Sequence, residues 1–251
     1  MKQTVLILLA ALTFYAAEAQ REMSTRKSQR IIRREARKLI EKGDQYFVLR
    51  NWDKAIEHGH MAMRMDSNNV QGYYLTGNGY IAKFDFVRAV NVFKVAERHF
   101  PNDSFVSLRL AQLWLQLNNP TEALQYYQQY QVLSPYSPAG YLGESVIRYQ
   151  LNEKEESLKI LEKGMSLSMF QSPYVVWFKG VLLYDMGDYK TARTTFLSLQ
   201  KYRLSDPTIN FYIGMCYYKE GTSLKWARKH LLRAQKRGVA IDNEVKQDLA
   251  I

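Results

Sequence analysis

The chain's four histidines and single cysteine are the side chains most often recruited for catalysis or metal binding. The histidines are His58, His60, His99 and His230. His58 and His60 lie two positions apart, and on a helix that spacing turns them to different faces, so they cannot close on one metal ion. Cys216 stands in the run Gly214-Met215-Cys216-Tyr217 with no histidine or cationic cluster beside it in sequence to draw off its proton. A lone cysteine can form neither an internal disulfide nor a paired-cysteine zinc site. The sequence contains no GxSxG, GxxxxGK[ST], HExxH or GxGxxG segment. These residues give no nucleophile with its base, no metal site and no cofactor cradle, so the expectation is a non-enzymatic protein that uses no cofactor.

The chemistry that remains is recognition. Eighteen tyrosines, eleven phenylalanines and four tryptophans supply broad apolar surface, much of it with a polar edge. The net charge of +11 favours an acidic partner or an anionic surface, and it is concentrated. Between Arg21 and Lys42 there are nine basic residues against three acids, Glu22, Glu35 and Glu41. Arg26, Lys27, Arg30, Arg33, Arg34 and Arg37 form the dense part of this basic arm. Two readings stand for it: an arm for a phospholipid surface, an envelope polymer or an acidic partner, or a solvated N-terminal cap whose arginines point to water. Ile31, Ile32, Leu39 and Ile40 recur there at nearly helical spacing, with Ser24 or Ser28 as the expected helix start.

Residues 1–20 have a different character. Lys2 supplies a short positive start, Thr4 to Ala17 is an almost unbroken apolar run, and Ala17-Glu18-Ala19 fits a small-x-small cleavage site. A membrane-spanning helix needs about 20 apolar residues, more than this run supplies. The expectation is a signal peptide over 1–19, cut after Ala19, and a periplasmic or secreted mature protein beginning at Gln20. The leader resembles those of Gram-negative bacterial exports, and that compartment argues against nucleic acid as the partner.

The rest of the chain must be organised by long helices. Hydrophobic residues make up 47% of the 251, while 13 glycines and 6 prolines are too few for the frequent turns of an all-β fold. Small residues then disclose a repeat. Ala55, Ala89, Ala123 and Ser157 lie 34 apart, and Ala192 and Ala227 follow after 35 each. Twelve positions ahead of most of them runs a second small series: Gly43, Gly77, Ala111, Ser145, Gly180 and Gly214. Bulky residues accompany both, Tyr46, Tyr80, Trp114, Leu183 and Tyr217 with the second, and Phe93, Tyr127, Leu161, Phe196 and Leu231 with the first. Arg148 and Gly59 are the exceptions. Two antiparallel helices can approach closely only where a small residue permits it, with large neighbours filling the space around the crossing. One hairpin cannot cover its own apolar face, so stacked neighbours must complete the core.

These registers, carried by segments such as NWDKAIEHGHMAMRMDSNN and NPTEALQYYQQYQVLSPYS, resemble the tetratricopeptide repeat (TPR). The resemblance covers residues 36–240, divided as 36–69, 70–103, 104–137, 138–172, 173–206 and 207–240, with the basic lead-in helix at 20–35 and a C-terminal cap at 241–251. Pro101 and Pro135 stand where that family ends a repeat. The fourth repeat, with Ser145, Arg148, Ser157 and Gly164 at structural positions, is the most divergent. The closing helix is expected to be capped by Asp242 or Asn243.

The resemblance implies an all-α, right-handed superhelical solenoid of six helix–turn–helix repeats with a concave groove lined by first helices. Its groove-facing positions fall here on Tyr74, Asn78, Phe105, Gln112, Gln116, Tyr149, Gln150, Tyr174, Trp177, Tyr184, Phe211 and Tyr218. Relatives that clamp a C-terminal carboxylate use lysine and asparagine, where this chain has Ile40 and Asp44, so that mode is not expected. The implied function is a protein-interaction scaffold in the bacterial envelope, taking a peptide or protein partner in the groove and working within a multiprotein assembly. Trp177, Tyr174 and Phe211 form the expected hot spot. The alternative is an anion- or membrane-binding module acting through the basic arm.

Overall fold

The computed structural model describes residues 2–167, 172–202 and 206–251, with side chains from Arg21 onward except that of Lys201. All of its regular elements among the described residues are helical, and they fall into two compact units, residues 1–119 and 120–251. The first unit holds α1 (Lys2–Val48), α2 (Trp52–Met65), α3 (Val70–Ala82), α4 (Phe86–His99) and α5 (Ser104–Gln116). The second holds α6 (Pro120–Leu133), α7 (Pro138–Gln150), α8 (Lys154–Leu167), α9 (Pro173–Asp185), α10 (Tyr189–Ser198) with a short 3₁₀ turn after it, α11 (Pro207–Glu220), α12 (Leu224–Gln235) and α13 (Asn243–Leu249). The fold is an all-α repeat architecture in which, inside each unit, consecutive helices pack on one another. No helix among the described residues is long and apolar enough to cross a membrane.

The small-residue series lies at the helix crossings. Ala55, Ala89, Ala123, Ser157, Ala192 and Ala227 are all fully buried. A β-carbon on Gly77 would sit 2.4 Å from the Phe93 ring, and one on Gly180 would sit 2.7 Å from the Phe196 ring, so each ring occupies the space its glycine leaves. Gly59 has a physical reason for lacking the aromatic seen elsewhere in its series. There α2 and α3 touch backbone to backbone, and a β-carbon would come within 3.1 Å of the Thr76 nitrogen and 3.2 Å of the Gly72 carbonyl. In the divergent fourth repeat the crossing is polar. Ser145 Oγ donates to the Ser157 carbonyl at 2.8 Å, and Ser157 Oγ donates to the Ser145 carbonyl at 2.7 Å.

First helices of the hairpins end in a left-handed residue, which closes the helix and redirects the chain. The series is Arg50, Phe84, Asn118, Asn152, Gly187 and Gly221. Aspartate or asparagine then opens several of the following helices: Asn51 caps α2, Asp85 caps α4 and Asp188 caps α10, each accepting a backbone N–H. Asp242, not Asn243, caps α13, whose Val245 and Leu249 close the last apolar face together with Met215, Ala227 and Leu231.

The start of α1 departs from expectation. The backbone is already helical before Ser24 and Ser28, and Ser28 Oγ donates to the Ser24 carbonyl at 3.0 Å, so neither serine opens a helix. Residues 20–35 and the first helix of repeat one form one continuous rod. Its core contacts begin only at Ala36, Ile40 and Gly43, which lie against α2 and α3.

Candidate functional site

The positions expected to line a groove fall in both units. In residues 1–119 the Tyr74 and Phe105 rings lie 4.4 Å apart between centroids, and the Arg109 guanidinium covers the Phe105 ring at 4.7 Å. Arg109 Nη1 also donates to Gln112 Oε1 at 3.0 Å. These contacts join α3 to α5 along one row: Tyr74, Phe105, Arg109, Gln112. Gln112 and Gln116 are exposed and Asn78 is half-buried, so amide groups border the aromatic pair. Tyr74 is not free to bind through its hydroxyl, which donates to Asp103 Oδ2 at 2.5 Å. Burial, with Asp103 adding to it, pushes the Tyr74 phenol upward, so it stays neutral.

In residues 120–251 the aromatic set is larger. Tyr174 and Trp177, three apart on α9, stack at 5.9 Å with ring planes 20° apart. Trp177 Nε1 donates to Thr208 Oγ1 at 3.3 Å, which ties the indole to the start of α11. Tyr184 meets Tyr189 and Tyr212 edge-on, each at 5.3 Å. Phe211 touches Tyr212 at 5.5 Å, and Trp177 touches it at 6.3 Å. The expected hot spot is therefore assembled in two steps: Tyr174 and Trp177 are in direct contact, and Phe211 joins through Tyr212. Tyr212 also stacks on the core residue Phe196 at 4.9 Å. Sequence reasoning missed this hub because Tyr212 falls next to a groove position, not on one.

Two further groove tyrosines are engaged through their hydroxyls. Tyr149 donates to Asp185 and Tyr218 donates to Asp248. The hydrogen bond to Asp185 is the main reason the Tyr149 phenol is pushed up to about 12, and the bond to Asp248 does the same for Tyr218, also to about 12. Burial raises Tyr184 to about 12. All these phenols are uncharged at neutral pH, so they bring fixed hydroxyls and no charge of their own to the aromatic face. Gln150 is exposed at the end of α7. Tyr174 is 56% exposed, and with Trp177 beneath it forms a presented aromatic step.

The basic arm belongs to the first unit. Arg26, Lys27, Arg30, Arg33, Arg34 and Arg37 are all exposed on α1. Arg26 pairs with Glu22 at 2.5 Å. Among the described residues Arg30, Arg33, Arg34 and Arg37 have no carboxylate partner.

The titratable groups singled out in the sequence are engaged in packing. Burial pushes the Cys216 thiol up to about 12, which keeps it protonated. His58 Nδ1 lies 2.8 Å from the Lys54 carbonyl, and His60 Nε2 lies 3.3 Å from the Tyr80 hydroxyl. No group of three histidine, cysteine or acidic side chains suited to a metal gathers among the described residues.

Comparison with known proteins matches the tetratricopeptide-repeat sequence profile to residues 74–138 and 179–238. No curated protein matches the sequence. Among solved structures, Pseudomonas aeruginosa PilF is similar at 16% identity and a TM-score of 0.72, over 87% of this chain and 98% of that one. PilW, described as a widely conserved type IV pilus biogenesis factor, is similar at 13% identity and a TM-score of 0.68, over 85% and 98%. A chain of the APC/C hetero-tetramer Cut9–Hcn1 gives 15% identity and a TM-score of 0.63 over 85% of this chain, which spans only 42% of its length. At such identities the likeness carries the fold alone.

Proposed function

We propose that this chain, a tetratricopeptide-repeat protein, is a non-enzymatic scaffold of the bacterial envelope that holds an extended peptide or a helix of a protein partner on its first-helix aromatic faces. The observation that carries the reading is the Tyr174–Trp177 stack. One ring is open to solvent, and the other is fixed from behind by Thr208 and Tyr212. A rigid aromatic pair loses little rotamer freedom on binding, so most of the apolar area it buries is retained as affinity. Gln150, exposed at the end of α7, supplies a donor and an acceptor for a peptide backbone. The buried, high-pKa state of Cys216 supports a role without covalent chemistry. Export is part of the proposal: the leader is removed after Ala19, and mass spectrometry of the mature protein should give Gln20 as the first residue.

The test is affinity capture from envelope extracts with the wild type, Trp177→Ala and Tyr174→Ala. Trp177→Ala also cuts the tie to Thr208, so Tyr174→Ala, at an exposed position, separates binding from folding. Each change is expected to cost at least 2 kcal/mol if the pair is a hot spot, on the order of thirtyfold in affinity, with helicity by circular dichroism unchanged. Equal capture by Tyr174→Ala and the wild type would remove this face from the function.

A further inference from the structure

The arginines of α1 are arranged, and the arrangement suits one kind of ligand. At 100° per residue, Arg26, Arg30, Arg33 and Arg37 fall on one strip, with Lys27, Arg34 and Lys38 along its side, the whole within an arc of about 140°. The helix packs through Ala36, Ile40 and Gly43, so the strip leaves the core and turns outward. Its C-terminal half is exposed and borders a shallow, open hollow. Arg33 and Arg37 stand opposite the turn that joins α2 to α3 and form with it a hollow of about 460 Å³. The far wall is made by Asn68, Asn69, Val70 and Gln71, with Phe100 as an aromatic patch; the Asn69 side-chain oxygen is engaged by the Gln71 N–H at 3.1 Å. Asp66 also borders the hollow, and its Oδ1 accepts the Asn68 N–H at 3.3 Å. Along the helix, Arg30, Arg34 and Lys38 extend the cationic surface, with Glu41 beside them.

Three features choose among anionic ligands. The cations facing the hollow are arginines, whose planar forks grip carboxylates and phosphates in pairs of hydrogen bonds. Opposite them are amides, which match a peptide backbone, together with a carboxylate that repels a ligand of unbroken negative charge. A membrane surface fits poorly, because the exposed apolar residues of the arm, Met23, Ile31 and Ile32, spread around the helix and make no single apolar face.

We propose that the α1 strip and the α2–α3 turn bind an acidic peptide segment of a partner protein, with its side-chain carboxylates on Arg33 and Arg37 and its backbone against Asn68 and Gln71. Residues 33–100 of the first unit form the whole site, so it shares no residue with the Tyr174–Trp177 face and does not depend on that reading.

Fluorescence anisotropy with the full chain tests it. The probes are a labelled peptide in which glutamates alternate with glycine or alanine, its glutamine twin, inorganic polyphosphate, and vesicles containing phosphatidylglycerol. The acidic peptide should bind and its glutamine twin should not. The Arg33→Gln/Arg37→Gln pair, both at exposed positions, should weaken binding by about tenfold per arginine. Removing the same charge from the other unit, with Arg233→Gln/Lys236→Gln, should change it little, and Trp177→Ala should leave it intact. The proposal is overturned if the two double variants lose affinity equally, which would mean diffuse charge attraction. It is equally overturned if the glutamine twin binds as well as the acidic peptide, or if polyphosphate or the vesicles bind while the acidic peptide does not.

Discussion

Tyr74 on α3 donates its hydroxyl to Asp103, the residue that caps the next first helix, across 2.5 Å. The other Asp103 oxygen accepts the Val106 N–H at 3.0 Å, so one carboxylate both starts α5 and ties it to α3. Within the second unit Tyr149 with Asp185 and Tyr218 with Asp248 also join a tyrosine of one first helix to an aspartate of a later helix, though neither aspartate caps one. Residues chosen for their place on a ligand face thus also latch neighbouring repeats together.

That double role predicts how Tyr74→Phe behaves. The ring and its contact with Phe105 stay, and only the bond to Asp103 goes. A hydrogen bond to a charged group contributes about 1.5–3 kcal/mol when buried, and less at this half-exposed site, so a loss of about 1 kcal/mol is expected. Urea unfolding followed by circular dichroism reads it. A midpoint shift smaller than that of a surface control such as Gln116→Ala would mean that the latch contributes nothing.

The latches explain why the fold was more legible in the sequence than the site. Small residues at helix crossings are dictated by sterics that recur with every repeat, so Ala89 and Ala192 could be placed by counting, and both are fully buried. The acceptors follow no such register. Asp103 caps a helix, Asp185 ends one and Asp248 lies in the closing helix, at separations of 29, 36 and 30 residues from their tyrosines. Tyr212 was illegible for a related reason. Its contacts with Trp177, Tyr184 and Phe196 depend on how far α9, α10 and α11 rotate against one another, and no single-helix pattern encodes that. The helix start was misplaced because Ser24 and Ser28 have good capping chemistry but lie inside a chain already helical.

His230 gives the protein an acid limit. It is buried on α12, with Nδ1 2.9 Å from Asn210 Oδ1, and its pKa is lowered from 6.5 to about 4 by burial first, then by Arg233 and Lys229. Because the folded value lies below the unfolded one, added protons prefer the unfolded chain. The histidine's contribution is whole above pH 6.5 and is lost as the pH falls toward about 4, on the order of 3 kcal/mol in all. Unfolding free energies across that window should fall more steeply for the wild type than for His230→Gln. Parallel curves would show that His230 does not set the limit.

Phe84 offers the opposite, a substitution that should stabilise. It occupies the left-handed position that closes α3, with φ of 59°, where Gly187 and Gly221 serve later repeats and Asn118 and Asn152 the middle ones. A side chain with a β-carbon costs about 1–2 kcal/mol in that conformation. Its ring is 80% exposed and makes one edge contact with Phe86 at 6.3 Å, so packing returns little of that cost. Glycine relieves the strain but adds about 0.5–1 kcal/mol of unfolded-state entropy, which leaves a net gain of about 0.5–1 kcal/mol for Phe84→Gly. Asn118→Gly, starting from a residue that tolerates the left-handed region, should gain less. Urea midpoints for the two variants measure the difference. A lower midpoint for Phe84→Gly than for the wild type would mean that the contact with Phe86 outweighs the backbone strain.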